Sequence, residues 1–346
     1  MVIVMCENNH EQRVRKSIPV KYLSENENNQ FNSVNGINMA PLPYPNGWFA
    51  AYFSHKLKKG KIIRVPYCGQ DIVLYRTMSG VACAIDPYCP HLGAHLGYGA
   101  SVVGEEIVCP FHGLSFGSDG YCSRAPEGAA VPKIALTKRY LHEIDGVLFV
   151  WSNDKNTPPD WMPPALNTAG FSQNRYETYQ LRGLCQDMTE NSADPAHFSY
   201  LHGLKEVSTS CEQDGYKITY RMKAKVFGQP VHMVMKCYGL GYAVGEASFS
   251  RLGLTARTQA LGTQTEPLSW TFRMIDSIRI NRIAGLPRYM QKIVYAPLIF
   301  FIHRWFVETV KEDFIVWQNR KYLHKPGLIP GGNNMAVYRR WVKQFY

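Results

Sequence analysis

Cys89-Pro90-His91 and, seventeen residues later, Cys109-Pro110-Phe111-His112 constrain this chain more than any other feature. Each short segment offers one thiolate and one imidazole. Two matched hairpins must therefore fold together to join four metal-binding side chains. Glycines stand just beyond each His, at Gly93 and Gly113, where tight loops have to turn back over a bound group. A structural zinc usually draws two Cys from one knuckle and two His from another. Here each knuckle holds one of each, which makes zinc the lesser reading. The stronger one is a two-iron, two-sulfur cluster with two Cys on one iron and two His on the other, an arrangement that raises the reduction potential above that of an all-Cys cluster.

The chain has 346 residues, a length that suggests two domains. Nine cysteines, an odd number, lie at scattered positions, and no secretory segment is visible in residues 1–42. Together with a thiolate-held cluster, this leads us to expect a reducing, cytoplasmic setting. The net charge is +11, but the basic residues are dispersed and no nucleic-acid motif is present. A local group, Lys56, Lys58, Lys59 and Lys61, reads either as a solvated turn or as a docking patch for an acidic electron donor. The apolar run Tyr295–Ile302 is interrupted by His303 and Arg304. It reads as a buried or amphipathic helix, and no integral membrane segment is expected.

Residues 1–42 are polar and Asn-rich and are expected to form an extension. From about Trp48, short β-branched runs separated by Gly, Pro and Ser predict strands at Lys61–Pro66, Asp71–Arg76, Val81–Ile85 and Gly146–Trp151. A Pro-, Asn- and Asp-rich stretch over 153–170 reads as a linker. These features divide the chain into 1–42, a cluster domain over 43–155 and a second domain over 156–346. The second domain is expected to hold strands at Lys217–Val226, Tyr242–Phe249, Thr255–Ala260 and Ser269–Met274, with helices around 187–202 and 285–324.

After the linker comes Asp194-Pro195-Ala196-His197-Phe198-Ser199-Tyr200-Leu201-His202-Gly203. Asp194 and Pro195 read as an N-cap and first helical residue, and Gly203 as a stop. Two His with a carboxylate suit mononuclear Fe(II), because they leave coordination positions open for O2. His197 and His202 are five apart, about 140° around a regular helix. Either the helix is distorted or His202 lies at its end.

The sequences Tyr88–Ala94 and Cys109–Gly113 resemble the Rieske domains of ring-hydroxylating oxygenases. The respiratory type of Rieske protein carries a disulfide-forming Cys in each loop, and those positions here are Ala94 and Phe111. The resemblance extends from about Trp48 to the C-terminus and is nearest to the branch of 3-ketosteroid 9α-hydroxylase oxygenases and cholesterol 7-desaturases. It implies an α+β chain, with an all-β Rieske domain followed by a helix-grip domain, an antiparallel sheet with a long C-terminal helix. It implies a Rieske 2Fe–2S cluster held by Cys89, His91, Cys109 and His112, and a mononuclear iron held by His197, His202 and an Asp on the long helix. Asp313 is the choice for that Asp, with Glu312 and Glu308 as competitors.

The same resemblance implies that Asp194 links a mononuclear-iron His to a Rieske His of a neighbouring subunit, which requires an oligomer, a head-to-tail homotrimer. Electrons would come from NAD(P)H through a ferredoxin or a flavin/iron–sulfur reductase. The substrate would be apolar, and candidate pocket residues are Phe227, Met233, Met235, Tyr238, Tyr242 and Phe249, with an entrance along 286–301. Hydroxylation is the expected outcome. Desaturation, demethylation and, least of all, simple electron carriage are the alternatives. The desaturases usually carry an N-terminal membrane segment, and none is recognised here.

Overall fold

Valine, isoleucine and aromatic residues in runs of three to seven, cut by Gly and Pro, give the first half only short strands. A computed structural model of the chain describes residues 42–329 and 333–346. The extension expected over 1–42 lies outside the described residues except for Leu42.

Three small antiparallel sheets make up the first half. One joins β1 (Gly47–Phe53), β10 (Val147–Ser152) and β9 (Leu141–Ile144); a second joins β2 (Ile62–Tyr67), β3 (Gln70–Arg76) and β4 (Ala82–Ile85). The third runs through β5 (Ser101–Val103), β6 (Glu106–Val108), β7 (Ser115–Phe116) and β8 (Cys122–Arg124). Cys89-Pro90-His91 lies in the loop after β4, and Cys109–His112 fills the loop between β6 and β7. The Lys56–Lys61 group is exposed in the turn after β1.

The second half is one seven-stranded antiparallel sheet. It comprises β11 (Arg175–Arg182), β12 (Lys205–Asp214), β13 (Lys217–Val226), β14 (Gln229–Tyr238), β15 (Tyr242–Phe249), β16 (Leu254–Glu266) and β17 (Ser269–Ile280). β12 to β17 form a continuous meander, and β11 adds to the far edge of β17. Helices α1 (Gln186–Asn191) and α2 (Pro195–Tyr200) lie between β11 and β12; α3 (Arg288–Asn319) and α4 (Asn333–Trp341) follow the sheet. Helix α3 packs on β11 and β17. The α+β, sheet-plus-long-helix expectation is met.

The strand alternation decides which side chains meet α3. Trp270, Phe272 and Met274 of β17 share a buried core with Val307, Phe314 and Trp317 of α3. The odd-numbered residues of β17 point the other way. Among them Arg273 is buried and donates from Nη1 and Nη2 to the carbonyls of Ala50 and Ala51, both at 2.8 Å. Burial lowers its pKa to about 10. β17 is thereby tied to β1, and the two halves pack as one unit, Pro41–Tyr346.

Helix α3 departs from expectation. Its Tyr295 and Ile299 are buried against Ala256 and Ile278, but Ile293, Leu298, Phe300 and Phe301 are exposed. The segment is apolar on nearly all sides rather than amphipathic. By length and composition it could cross a membrane, yet its C-terminal half is the core helix of the sheet.

Arg273→Met should leave the Ala51 carbonyl without its cationic donor and cost about 1–3 kcal/mol. Chemical denaturation should show a lower midpoint at an unchanged slope; an unchanged midpoint would mean that Arg273 does not join the two halves.

Candidate active site

The two Cys/His loops share one backbone design. In the first, the Cys89 amide donates to the Ala94 carbonyl at 2.8 Å and the Gly93 amide to the Cys89 carbonyl at 2.9 Å. In the second, the Cys109 amide donates to Leu114 at 2.8 Å and the Gly113 amide to Cys109 at 3.1 Å. Gly93 and Gly113 have φ of +75° and +68°, and a Cβ on either would meet nothing within 4 Å. The requirement for glycine is therefore conformational rather than steric. Cys89 and Cys109 belong to the small core of Val73, Ile85, Leu96, Ile107 and Phe116. His91 is exposed and His112 half-buried, with ring centroids 4.9 Å apart. Two buried sulfurs with two imidazoles nearer the surface fit a Rieske cluster whose His-bound iron faces outward. Ala94 and Phe111 carry no sulfur, as read from the sequence.

The second centre is built from separate segments. Asp194 caps α2, its carboxylate accepting from the Ala196 amide at 2.9 Å, with Pro195 at the first helical position. The helix ends at Tyr200, so His202 lies beyond it. Both the Leu201 and His202 amides reach back to the His197 carbonyl, at 2.8 and 3.4 Å. This wider closure turns His202 toward His197, with ring centroids 5.3 Å apart. Both options left open by the five-residue spacing thus hold in part.

Asp313 arrives from α3. His197, His202 and Asp313 each place a donor atom within 4.8 Å of the others. Of the three acidic candidates on the helix, Asp313 enters this group. Glu312 lies behind it, 3.2 Å from His202 Nδ1, and Glu308 pairs with Lys311 at the surface. His197 Nδ1 lies 2.6 Å from the Asp194 carbonyl. A carbonyl can only accept, so Nδ1 carries the proton and Nε2 keeps its lone pair. Glu312 accepts from His202 Nδ1, and the other nitrogen, Nε2, faces Asp313 at 3.4 Å, where a bound metal would take its lone pair. Burial lowers the pKa of His197 despite Asp313. Burial also pulls on His202, but Asp313 and Glu312 outweigh it and hold that pKa above the usual value. Two imidazole lone pairs beside one carboxylate fit a mononuclear Fe(II) site.

The ring of His197 is thus oriented by the main chain of Asp194, not by its carboxylate as the resemblance implied. The carboxylate caps the helix and is only partly buried.

The three donors open onto a cavity of about 250 Å³ whose walls are largely apolar. Val231, Met233 and Met235 of β14 and Ala243, Gly245, Ala247 and Phe249 of β15, all odd-numbered and on the α3 side, line it together with Val244. Met233, Met235 and Phe249 were expected there. Tyr238 and Tyr242 were also expected, but they are even-numbered and point into the opposite core with Trp48 and Phe149. Phe227 is 89% exposed in the turn after β13, where its ring faces Trp305 at 6.4 Å. Trp305, Phe306, Thr309 and Val310 of α3 close the cavity. A further group escaped the sequence reading: Thr258, Asp276 and His303, joined by 2.6 Å contacts. The available signal was Asp276 itself, at an apolar position of the β17 alternation.

The model of the Rieske [2Fe-2S] domain matches residues 47–135, and that of the 3-ketosteroid 9alpha-hydroxylase C-terminal domain matches 150–346. The chain is 28% identical over 339 residues to a cholesterol 7-desaturase of Drosophila melanogaster, covering 88% of this chain and 76% of that one. It is 26% identical over 331 residues to the oxygenase component of 3-ketosteroid-9-alpha-monooxygenase of Mycobacterium tuberculosis, covering 88% and 83%. Among solved structures it resembles dicamba monooxygenase bound to 3,6-dichlorosalicylic acid, with a TM-score of 0.68 at 18% identity over 86% and 96% of the two chains.

Glu312→Gln should leave the three donors in place but loosen the hold on His202. Iron retention against a chelator should fall about ten- to a hundredfold. Unaltered retention would remove Glu312 from the site.

Proposed function

The chain belongs to the Rieske oxygenases with a 3-ketosteroid 9α-hydroxylase C-terminal domain, and from that premise we propose that it oxidises a C–H bond of an apolar, steroid-like substrate as a terminal oxygenase. The observation that carries this reading is the apolar cavity onto which His197, His202 and Asp313 open. When bound, the cluster supplies single electrons and the mononuclear iron supplies O2 activation.

The protein's own residues do the rest. Cys89 and Cys109, in the small core, and His91 and His112, nearer the surface, would hold the cluster. His197, His202 and Asp313 would hold the mononuclear iron. The Asp194 carbonyl and Glu312 accept from the Nδ1 atoms of His197 and His202, which leaves both Nε2 atoms for metal. Met233, Met235, Phe249 and Phe272 exclude water and bind the substrate by burial of apolar surface. Trp305 lines the cavity and is exposed, and the exposed Phe227 faces its ring at 6.4 Å, so that the two form an apolar approach to it. A pure electron carrier has no use for either the triad or the cavity.

We assign the electron path to a head-to-tail homotrimer. Tyr88, Leu92 and Phe111 stand on the two Cys/His loops and are all 60% or more exposed, an apolar rim suited to docking. The partly exposed Asp194 carboxylate would receive a Rieske His of the next subunit. A ferredoxin or flavin/iron–sulfur reductase drawing on NAD(P)H would recharge the cluster, and Lys56, Lys58, Lys59 and Lys61 are exposed to steer it. The eight described cysteines are all free thiols, which supports a reducing, cytoplasmic setting.

Turnover with a surrogate reductase and a panel of sterols, ketosteroids and terpenoids under 18O2 should give one labelled oxygen in a hydroxylated product, or an unlabelled product with a new double bond. Both results fit the proposal and separate hydroxylation from desaturation; product formation that persists in His197→Ala would refute it. Asp194→Asn should retain both iron centres yet oxidise a reduced cluster at least a hundredfold more slowly in the presence of substrate and O2. Normal oxidation there would reduce Asp194 to a helix cap.

A further inference from the structure

One charged group stands on the otherwise apolar α3-facing side of β17. The α3-facing side of β17 runs Trp270, Phe272, Met274, Asp276, Ile278, and Asp276 is 0% exposed. A buried carboxylate is costly unless its oxygens are matched. Both are matched here. Oδ2 lies 2.6 Å from His303 Nδ1 on α3, and Oδ1 accepts from the Thr258 hydroxyl at 2.6 Å. Thr258 is the residue directly opposite Asp276 in the β16–β17 register. The other imidazole nitrogen, His303 Nε2, faces Glu177 of β11 at 3.5 Å. Burial pushes the Asp276 carboxyl up against the pull of His303 and Thr258. The same contact with Asp276 raises His303.

Thr258 also lines the cavity onto which His197, His202 and Asp313 open. Building on the reading of an apolar, steroid-like substrate, we propose that Thr258 is the polar anchor of this cavity and that it selects a substrate bearing an alcohol there rather than a ketone.

A threonine hydroxyl has one proton and two lone pairs. The proton shared by His303 and Asp276 lies at Oδ2, whichever of the two holds it. Oδ1 therefore has only lone pairs to offer, and Thr258 spends its single proton on it. Toward the cavity the Thr258 oxygen can only accept. An alcohol donates its O–H to that oxygen. A ketone sets lone pairs against lone pairs and leaves two desolvated acceptors unpaired.

Thr309 likewise gives its proton away, to the Trp305 carbonyl at 2.9 Å, but that partner is an uncharged carbonyl of its own helix, whereas the Thr258 proton is held by a fully buried carboxylate. The anchor also separates two chemistries found among the relatives, a sterol that ends in an alcohol and a steroid that ends in a ketone.

The test is binding to the holoenzyme without reductant, read by quenching of tryptophan fluorescence, since Trp305 and Trp317 both line the cavity. Two matched pairs serve as probes: cholestanol against cholestanone, and the smaller 2-decalol against 2-decalone. The alcohol of each pair should bind at least tenfold more tightly. Thr258→Val should abolish that preference by weakening the alcohol alone, and Thr258→Ser should retain it, which separates a lost acceptor from a damaged fold. If the sterol pair fails to bind while the decalin pair still shows the preference, the steroid-like reading fails and the anchor stands. Equal affinities within any pair that binds, or a preference that survives Thr258→Val, would overturn the anchor. Absence of binding by both pairs would overturn the anchor and the steroid-like reading together.

Discussion

Phe314 and Trp317 of α3, packed on Phe272 and Trp270 of β17, hold the mononuclear centre together. Their ring centroids lie 5.6 Å apart for Phe272–Phe314 and 5.6 Å for Trp270–Trp317. Tyr179 of β11 adds an edge contact to Phe314 at 5.0 Å. This aromatic layer fixes the rotation of α3 about its axis, and Asp313 immediately precedes Phe314 in the chain. A helix turned by one residue, about 100°, would carry Asp313 away from His197 and His202. The triad is therefore a consequence of core packing. Aromatic pairs of this geometry each add about 0.5–1.5 kcal/mol beyond the area they bury.

The local parts of both centres were legible in the chain because each is built from short-range constraints. The Cys/His loops need left-handed backbone just after each His, and Gly93 and Gly113 announce it. Asp194 and Pro195 are a cap and a first helical residue in both sequence and structure. Asp313 could be placed only through a resemblance, since nothing local distinguishes it from Glu312 or Glu308 on one helix; the aromatic layer decides among them. Tyr238 and Tyr242 were misplaced because an aromatic residue on a strand is apolar on either face, and only the register says which face meets α3. Strands β11, β12 and β14 lay outside the expected set; at the edges, β11 and β12 carry mostly exposed side chains that give little apolar alternation.

The sequence suggested a buried or amphipathic helix at Tyr295–Ile302, and the structure gives that segment two apolar surfaces, one buried and one exposed. Its buried side carries Tyr295 and Ile299, while Phe300 and Phe301 remain exposed. One turn further on, His303 pairs with Asp276 and Trp305 closes the cavity. A single helix thus runs from an apolar surface, past the His303–Asp276 contact, to the carboxylate of Asp313. The substrate's way in, its polar anchor and its reacting end would all be set by one rigid element.

The central claim is that this chain carries two iron centres, one for electron entry and one opening onto an apolar cavity. Quantifying iron and acid-labile sulfide per chain in the purified, reconstituted protein tests it most directly. The account gives three irons and two sulfides, falling to two irons and two sulfides in Asp313→Ala. Two irons per chain in the unaltered protein, or a count that Asp313→Ala leaves unchanged, would contradict it.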